Sequence, residues 1–156
     1  AVLLVIIQFF QPARNLSNDQ TMHAANLYPV AENLEKVLKT ACYDCHSNYT
    51  EYPWYASVQP VAWYLADHVN DGKRHFNFST FAKLRIAIQN HKLEEVIEQV
   101  KEGEMPMTAY TLIHRDAALT NDQKALIIQW AQSAIDSIHA HYPADSLKMP
   151  ERKRKD

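Results

Sequence analysis

Two glycines, Gly72 and Gly103, are all that this chain of 156 residues contains. That scarcity constrains the fold more than any other feature. A phosphate-cradling loop or a dinucleotide fingerprint needs several glycines at fixed offsets, and none can be assembled. Many-turned β-sandwiches and barrels spend glycine at their turns, so helices are the expected material. The length suits one domain with one core. A hydrophobic fraction of 47 % and a charged fraction of 22 % are ordinary for a folded chain. A net charge of −2 implies no general attraction to nucleic acid.

Helical periodicity runs through the middle of the chain, and the predicted class is all-α. Leu34, Val37, Leu38 and Ala41 fall on one face of a helix over 31–41. Pro53 opens a second helical stretch, which Pro60 either kinks or divides. Asp71-Gly72 reads as its stop. Ser79 reads as the cap of a third helix carrying Phe81, Leu84, Ile88, Leu93, Val96, Ile97 and Val100, with a break near Asn90-His91 and an end at Gly103. Residues 104–111, which include Pro106, have no clean period and read as a loop. Thr120 and Gln123 form a capping box for the last helix, whose apolar stripe is Leu126, Ile127, Trp130, Ala134 and Ile138.

Four regions follow. Residues 1–12 begin AVLLVIIQFF, too short for the roughly 20 apolar residues of a membrane span. They read as the remnant of a signal or membrane-anchor helix. Residues 13–29 read as a polar linker or N-terminal extension, 30–142 as the functional domain, and 143–156 as a polar tail ending in the charge run ERKRKD from Glu151.

The chemistry is concentrated at Cys42-Tyr43-Asp44-Cys45-His46. The chain holds two cysteines and eight histidines, and both cysteines are here. Cysteines three apart lie on one side of a helical turn, so both sulfurs can reach the vinyl groups along one edge of a porphyrin. The adjacent histidine is placed to bind the iron axially, as in c-type haem attachment. A zinc site needs four ligands, and neither a second C-x-x-C nor a histidine pair of suitable gap is present. A thioredoxin-like dithiol would follow a strand, and none precedes this motif. A disulfide would close a very short loop and stabilise little.

Met105 is the candidate for the second axial position, between a helix stop at Gly103 and the stiffening Pro106. Met107 is its rival, and His68, His75, His91 and His114 are histidine alternatives. Tyr49, Tyr52, Trp54, Tyr55, Trp63 and Tyr64 form an aromatic cluster that suits core packing, against a porphyrin if one is bound. Lys73 and Arg74 are candidates to pair with its propionates.

The stretches CYDCHSNYTEYPWY from Cys42, DGKRHFNFSTF from Asp71, GEMPMTAYTLIH from Gly103 and ALTNDQKALIIQWA from Ala118 resemble class I cytochrome c. More specifically, they resemble the bacterial haem-binding domain family of small, often membrane-anchored c-type cytochromes. The likeness covers roughly residues 30–138. It implies a helical domain around one haem c, held by Cys42 and Cys45, with His46 as proximal ligand and Met105 as distal ligand. It implies attachment outside the cytoplasm, in the periplasm, and a membrane tether N-terminal to the domain. The region from Ser47 to Glu104 is longer than in compact class I cytochromes and is expected to hold extra helices. The expected function is one-electron transfer between membrane-associated or periplasmic redox partner proteins, without enzymatic turnover and without nucleic acid. The alternative is a haem-based sensor or peroxidase-like enzyme with an open or histidine-ligated distal site.

Overall fold

The apolar periodicities resolve into helices throughout residues 2–149, the part of the chain that the structure, a computed structural model, describes. Ala1 and the charge run from Glu151 lie outside the described residues. Among the described residues there is no strand, only an isolated antiparallel bridge between Leu16 and Tyr49. The all-α expectation is met.

The chain divides into two units. The first comprises Ala1–Pro29 and Glu35–Ala82, the second Val30–Leu34 and Lys83–Asp156. The first unit carries α1 (Val2–Ile7), most of α2 (Glu32–Ala41), α3 (Tyr43–His46) and α4 (Val61–His75). Short 3-10 turns lie at Ala24–Asn26, Trp54–Ser57 and Phe78–Lys83. Its core is aromatic. Phe76 meets Phe78 at 4.7 Å and Phe81 at 5.2 Å between ring centroids, and Tyr43 meets Phe78 at 4.9 Å. The first and third are edge-to-face and the second is tilted, and such contacts add to the burial of the rings themselves.

The second unit is built on α5 (Ile86–Glu102) packed against α7 (Asn121–His141), with the single turn α6 (Thr108–Thr111) between them in sequence. Leu93 and Val100 on α5, and Ile127, Trp130, Ala131, Ala134, Ile135 and Ile138 on α7, are buried. The α7 capping box is formed. The Gln123 amide donates to Thr120 Oγ1 at 3.2 Å, and the Thr120 amide donates to Gln123 Oε1 at 2.9 Å.

Several local expectations are corrected. Gly72 does not stop α4, which continues to His75. There is no break at Asn90-His91, because buried Asn90 is satisfied in place: its Nδ2 donates to Glu94 at 2.8 Å and its Oδ1 meets His139 Nε2 at 3.0 Å. Ser79 does not cap α5, whose N-cap is Arg85. It is buried instead, and its Oγ accepts the Asn48 amide at 2.9 Å. Pro53 and Pro60 stand before two separate elements, a 3-10 turn and α4. Part of the expected loop at 104–111 winds into α6.

The polar stretch after Pro12 is not a loose linker either. The Asn15 side chain donates to the Ser47 carbonyl at 2.8 Å and to Thr50 Oγ1 at 2.9 Å. Lys73 Nζ donates to Asn15 Oδ1 at 2.6 Å, and the Thr50 amide donates to the Asn15 carbonyl at 3.0 Å. Further along, Asn18 N–H bonds the Asn48 carbonyl at 3.1 Å, and Ala82 N–H bonds the Met22 carbonyl at 3.0 Å. The stretch is a strap over the segment that follows the cysteine motif. Ahead of it, Val2, Leu3, Leu4, Val5, Ile6, Phe9 and Phe10 are exposed. Among the described residues no helix is long and apolar enough to cross a membrane.

Candidate functional site

The cysteine motif begins where α2 ends. Cys42 has non-helical backbone angles, and the next four residues form the turn α3. That turn is fixed from behind. Thr50 Oγ1 donates to the Asp44 carbonyl at 2.6 Å, the Glu51 amide donates to Asp44 Oδ1 at 2.9 Å, and Tyr43 OH donates to Glu35 Oε2 at 2.9 Å. Cys42 and Cys45 are free thiols, both partly buried. Burial pushes the Cys42 thiol up to about 12, and the neighbouring Cys45 adds to the rise. Burial pushes Cys45 up to about 11, with Asp44 contributing. Redox-active dithiols work the other way, with a lowered pKa at a helix N-terminus.

His46 is held by one well-defined bond, with Nδ1 lying 2.9 Å from the Phe76 carbonyl. A carbonyl only accepts, so Nδ1 carries the proton, and the lone pair of the neutral ring is on Nε2. Burial lowers the pKa of this imidazole, an effect the Phe76 and Gly72 carbonyls oppose and nearby His75 reinforces. The ring is thus a neutral donor of fixed tautomer, as metal-ligating histidines are when their other nitrogen is bonded to a carbonyl. Two thiols and an oriented imidazole within one turn fit the demands of a covalently held haem. No group of three or more His, Cys, Asp or Glu side chains is placed to hold a metal ion among the described residues.

The first unit also carries Tyr52, Trp54, Trp63, His68 and His75. Tyr52 lies under the Arg14 guanidinium, 5.0 Å from the ring centroid, and its hydroxyl accepts the Asn15 amide at 2.9 Å. Trp54 is 83 % exposed and Trp63 42 % exposed. Packing within the protein core, as read from the sequence, therefore does not describe them. His68 bonds the Tyr64 carbonyl through Nδ1 at 2.9 Å and lies 4.0 Å from that ring, which leaves its Nε2 lone pair free. His75 is exposed on the last turn of α4. Lys73 is engaged by Asn15, and Arg74 is paired with Asp71, so neither cation stands free.

Met105, Pro106, Met107 and His114 belong to the second unit. Gly103 caps α5 at φ 78, the left-handed region that favours glycine. The amides of Gly103, Glu104 and Met105 all converge on the Gln99 carbonyl, the last two at 3.0 and 3.2 Å. The loop is thereby wound tightly, and Met105, Pro106 and Met107 are partly buried within it. His114 stacks on Tyr110 with ring centroids 4.3 Å apart.

Sequence reasoning missed three participants: the Phe76 carbonyl, Gly72 and Asn15. The first acts through its backbone and leaves no trace in its side chain. Gly72 was visible only as a helix stop. Asn15 sits in a polar run whose composition resembles that of a linker.

A family model described as a haem-binding domain matches residues 2–133. The match takes in both the apolar N-terminal stretch and the strap. No curated protein and no solved structure gave a match.

Proposed function

Because this chain belongs to the haem-binding domain family, we propose that it is a monohaem c-type cytochrome carrying one electron between periplasmic or membrane-associated redox partners. The observation that carries the reading is the bond from His46 Nδ1 to the Phe76 carbonyl, one residue after two free thiols spaced three apart. A bound haem would supply the one-electron ferric/ferrous couple.

The chain's own residues do the rest. Cys42 and Cys45 would hold a haem covalently as thioethers. His46 would ligate the iron through Nε2, and the bond at its Nδ1 would raise its donor strength. Met105, backed by Pro106 and by a loop wound on Gln99, would supply the second iron ligand in this reading. Its thioether favours the reduced state relative to a second imidazole. Tyr52, Trp54 and Trp63 would supply aromatic packing for a bound haem in this reading, and the exposure of the two tryptophans supports that use. The exposed apolar residues from Val2 to Phe10 support a membrane-facing N-terminus. A second reading places His68 on the iron, favoured by its free Nε2.

The oxidised spectrum separates the two. Methionine ligation gives a sulfur-to-iron charge-transfer band that Met105→Ala abolishes and Met107→Ala and His68→Ala preserve. A bis-histidine spectrum altered by His68→Ala, with no such band, would overturn the Met105 assignment. Rapid carbon monoxide binding to the untreated reduced protein would instead indicate an open sixth site and a sensor or peroxidase-like role.

A further inference from the structure

Gly72 lies inside α4, where a glycine ordinarily weakens a helix. Its conformation does not require glycine, so space is the reason for it. A Cβ built at Gly72 would lie 2.6 Å from the Cys45 carbonyl oxygen, 3.2 Å from the Cys45 carbonyl carbon and 3.2 Å from Cys45 Cβ. The nearest obstacle is backbone, which cannot rotate aside. The missing side chain therefore sets how closely α4 approaches the turn that carries both cysteines.

The same stretch of α4 governs His46. The Phe76 amide donates to the Gly72 carbonyl at 2.8 Å, closing the helix end, and the Phe76 carbonyl then receives His46 Nδ1 at 2.9 Å. Residue 72 is thus in contact with Cys45 on one side and hydrogen-bonded to the residue that orients His46 on the other. We propose that Gly72 is a positioning residue, whose lack of a side chain lets α4 approach closely enough for the Phe76 carbonyl to fix the His46 tautomer. The inference rests on His46 being the proximal ligand for its functional meaning, but the geometry it concerns belongs to the chain alone.

The test uses the full chain, with and without haem, and reads the ring nitrogens of His46 by ¹⁵N NMR. In the haem-free wild type, Nδ1 is protonated and Nε2 is not. In Gly72→Ala the single tautomer is lost, and the melting temperature falls where an alanine in a helix ordinarily raises it. In the haem-loaded chain the same substitution raises the midpoint potential, because a less strongly bonded imidazole donates less to the iron. An unchanged His46 tautomer and potential in a folded Gly72→Ala, or an Nε2–H tautomer in the wild type, would overturn the proposal. Should Gly72→Ala fail to fold, hydrogen exchange in the wild type decides. A common protection for the Phe76 amide and His46 Nδ1–H supports the coupling, and separate protections refute it. A chain that takes up no haem overturns the cytochrome reading, while the tautomer still decides the role of Gly72.

Discussion

Replacing Asn15 with alanine tests whether the strap holds the cysteine motif or merely lies beside it. The side chain makes two neutral hydrogen bonds, to the Ser47 carbonyl and Thr50 Oγ1, and accepts a third from the Lys73 ammonium. A neutral bond contributes about 1 kcal/mol net, and one to a charged group about 1.5–3 kcal/mol. The sum of about 4 kcal/mol is an upper figure, because Asn15 is only partly buried and water can replace some of what is lost. A loss of about 2–3 kcal/mol is expected. For a chain of this size that lowers the melting temperature by roughly 4–12 °C. Urea denaturation followed by far-ultraviolet circular dichroism gives the free energy, and a cycle with Lys73→Met isolates the Lys73–Asn15 coupling at about 1 kcal/mol. A loss below about 0.5 kcal/mol with no coupling would refute the strap, since surface substitutions alone fall in that range.

The remaining predictions concern the haem-free chain. From an ordinary value of 9.0, the shifts to about 12 and about 11 cut the thiolate fraction at pH 8 by on the order of 10³ for Cys42 and 10² for Cys45. The greater nucleophilicity of a more basic thiolate returns part of this, leaving alkylation about 40-fold and 10-fold slower than for an unperturbed thiol. Reaction with iodoacetamide at the free-cysteine rate would contradict the placement of both thiols. Burial lowers the pKa of His46, and of His23 at the N-cap of the Ala24–Asn26 turn, below 6.5, so the unfolded chain binds the extra protons first as the pH falls. The melting temperature is therefore expected to be level above about pH 7 and to decline below about 6.5, less steeply in His23→Gln. A melting temperature that rises on acidification through that window would contradict the sign.

What the sequence made legible was local. The α7 capping box needs only Thr120 and Gln123, three residues apart, and was readable in full. The left-handed cap at Gly103 likewise announces itself by residue type and by the end of an apolar stripe. Gly72 shows the limit. Its residue type matched a helix stop, whereas its cause is a backbone contact with Cys45, far away in sequence. The strap's role was hidden for a similar reason: polar residues that would solvate a linker or extension are the same ones that bond to the carbonyls of Ser47 and Asn48. Asn90 read as a break because its partner His139 lies on another helix. The motif residues Cys42, Cys45 and His46 were evident from spacing, but the Phe76 carbonyl that orients the imidazole could come only from the fold.

The central claim is that Cys42 and Cys45 hold a haem covalently and His46 ligates it. The most direct measurement is acid–ketone extraction of the chain matured with haem in an oxidising, exported compartment, with the mass of the intact denatured polypeptide read afterwards. The haem is expected to stay with the polypeptide, to add the mass of one haem, and to give a pyridine spectrum of the two-thioether type that Cys42→Ala and Cys45→Ala each alter. Complete extraction of the haem, leaving an unmodified chain with two free thiols, would contradict it.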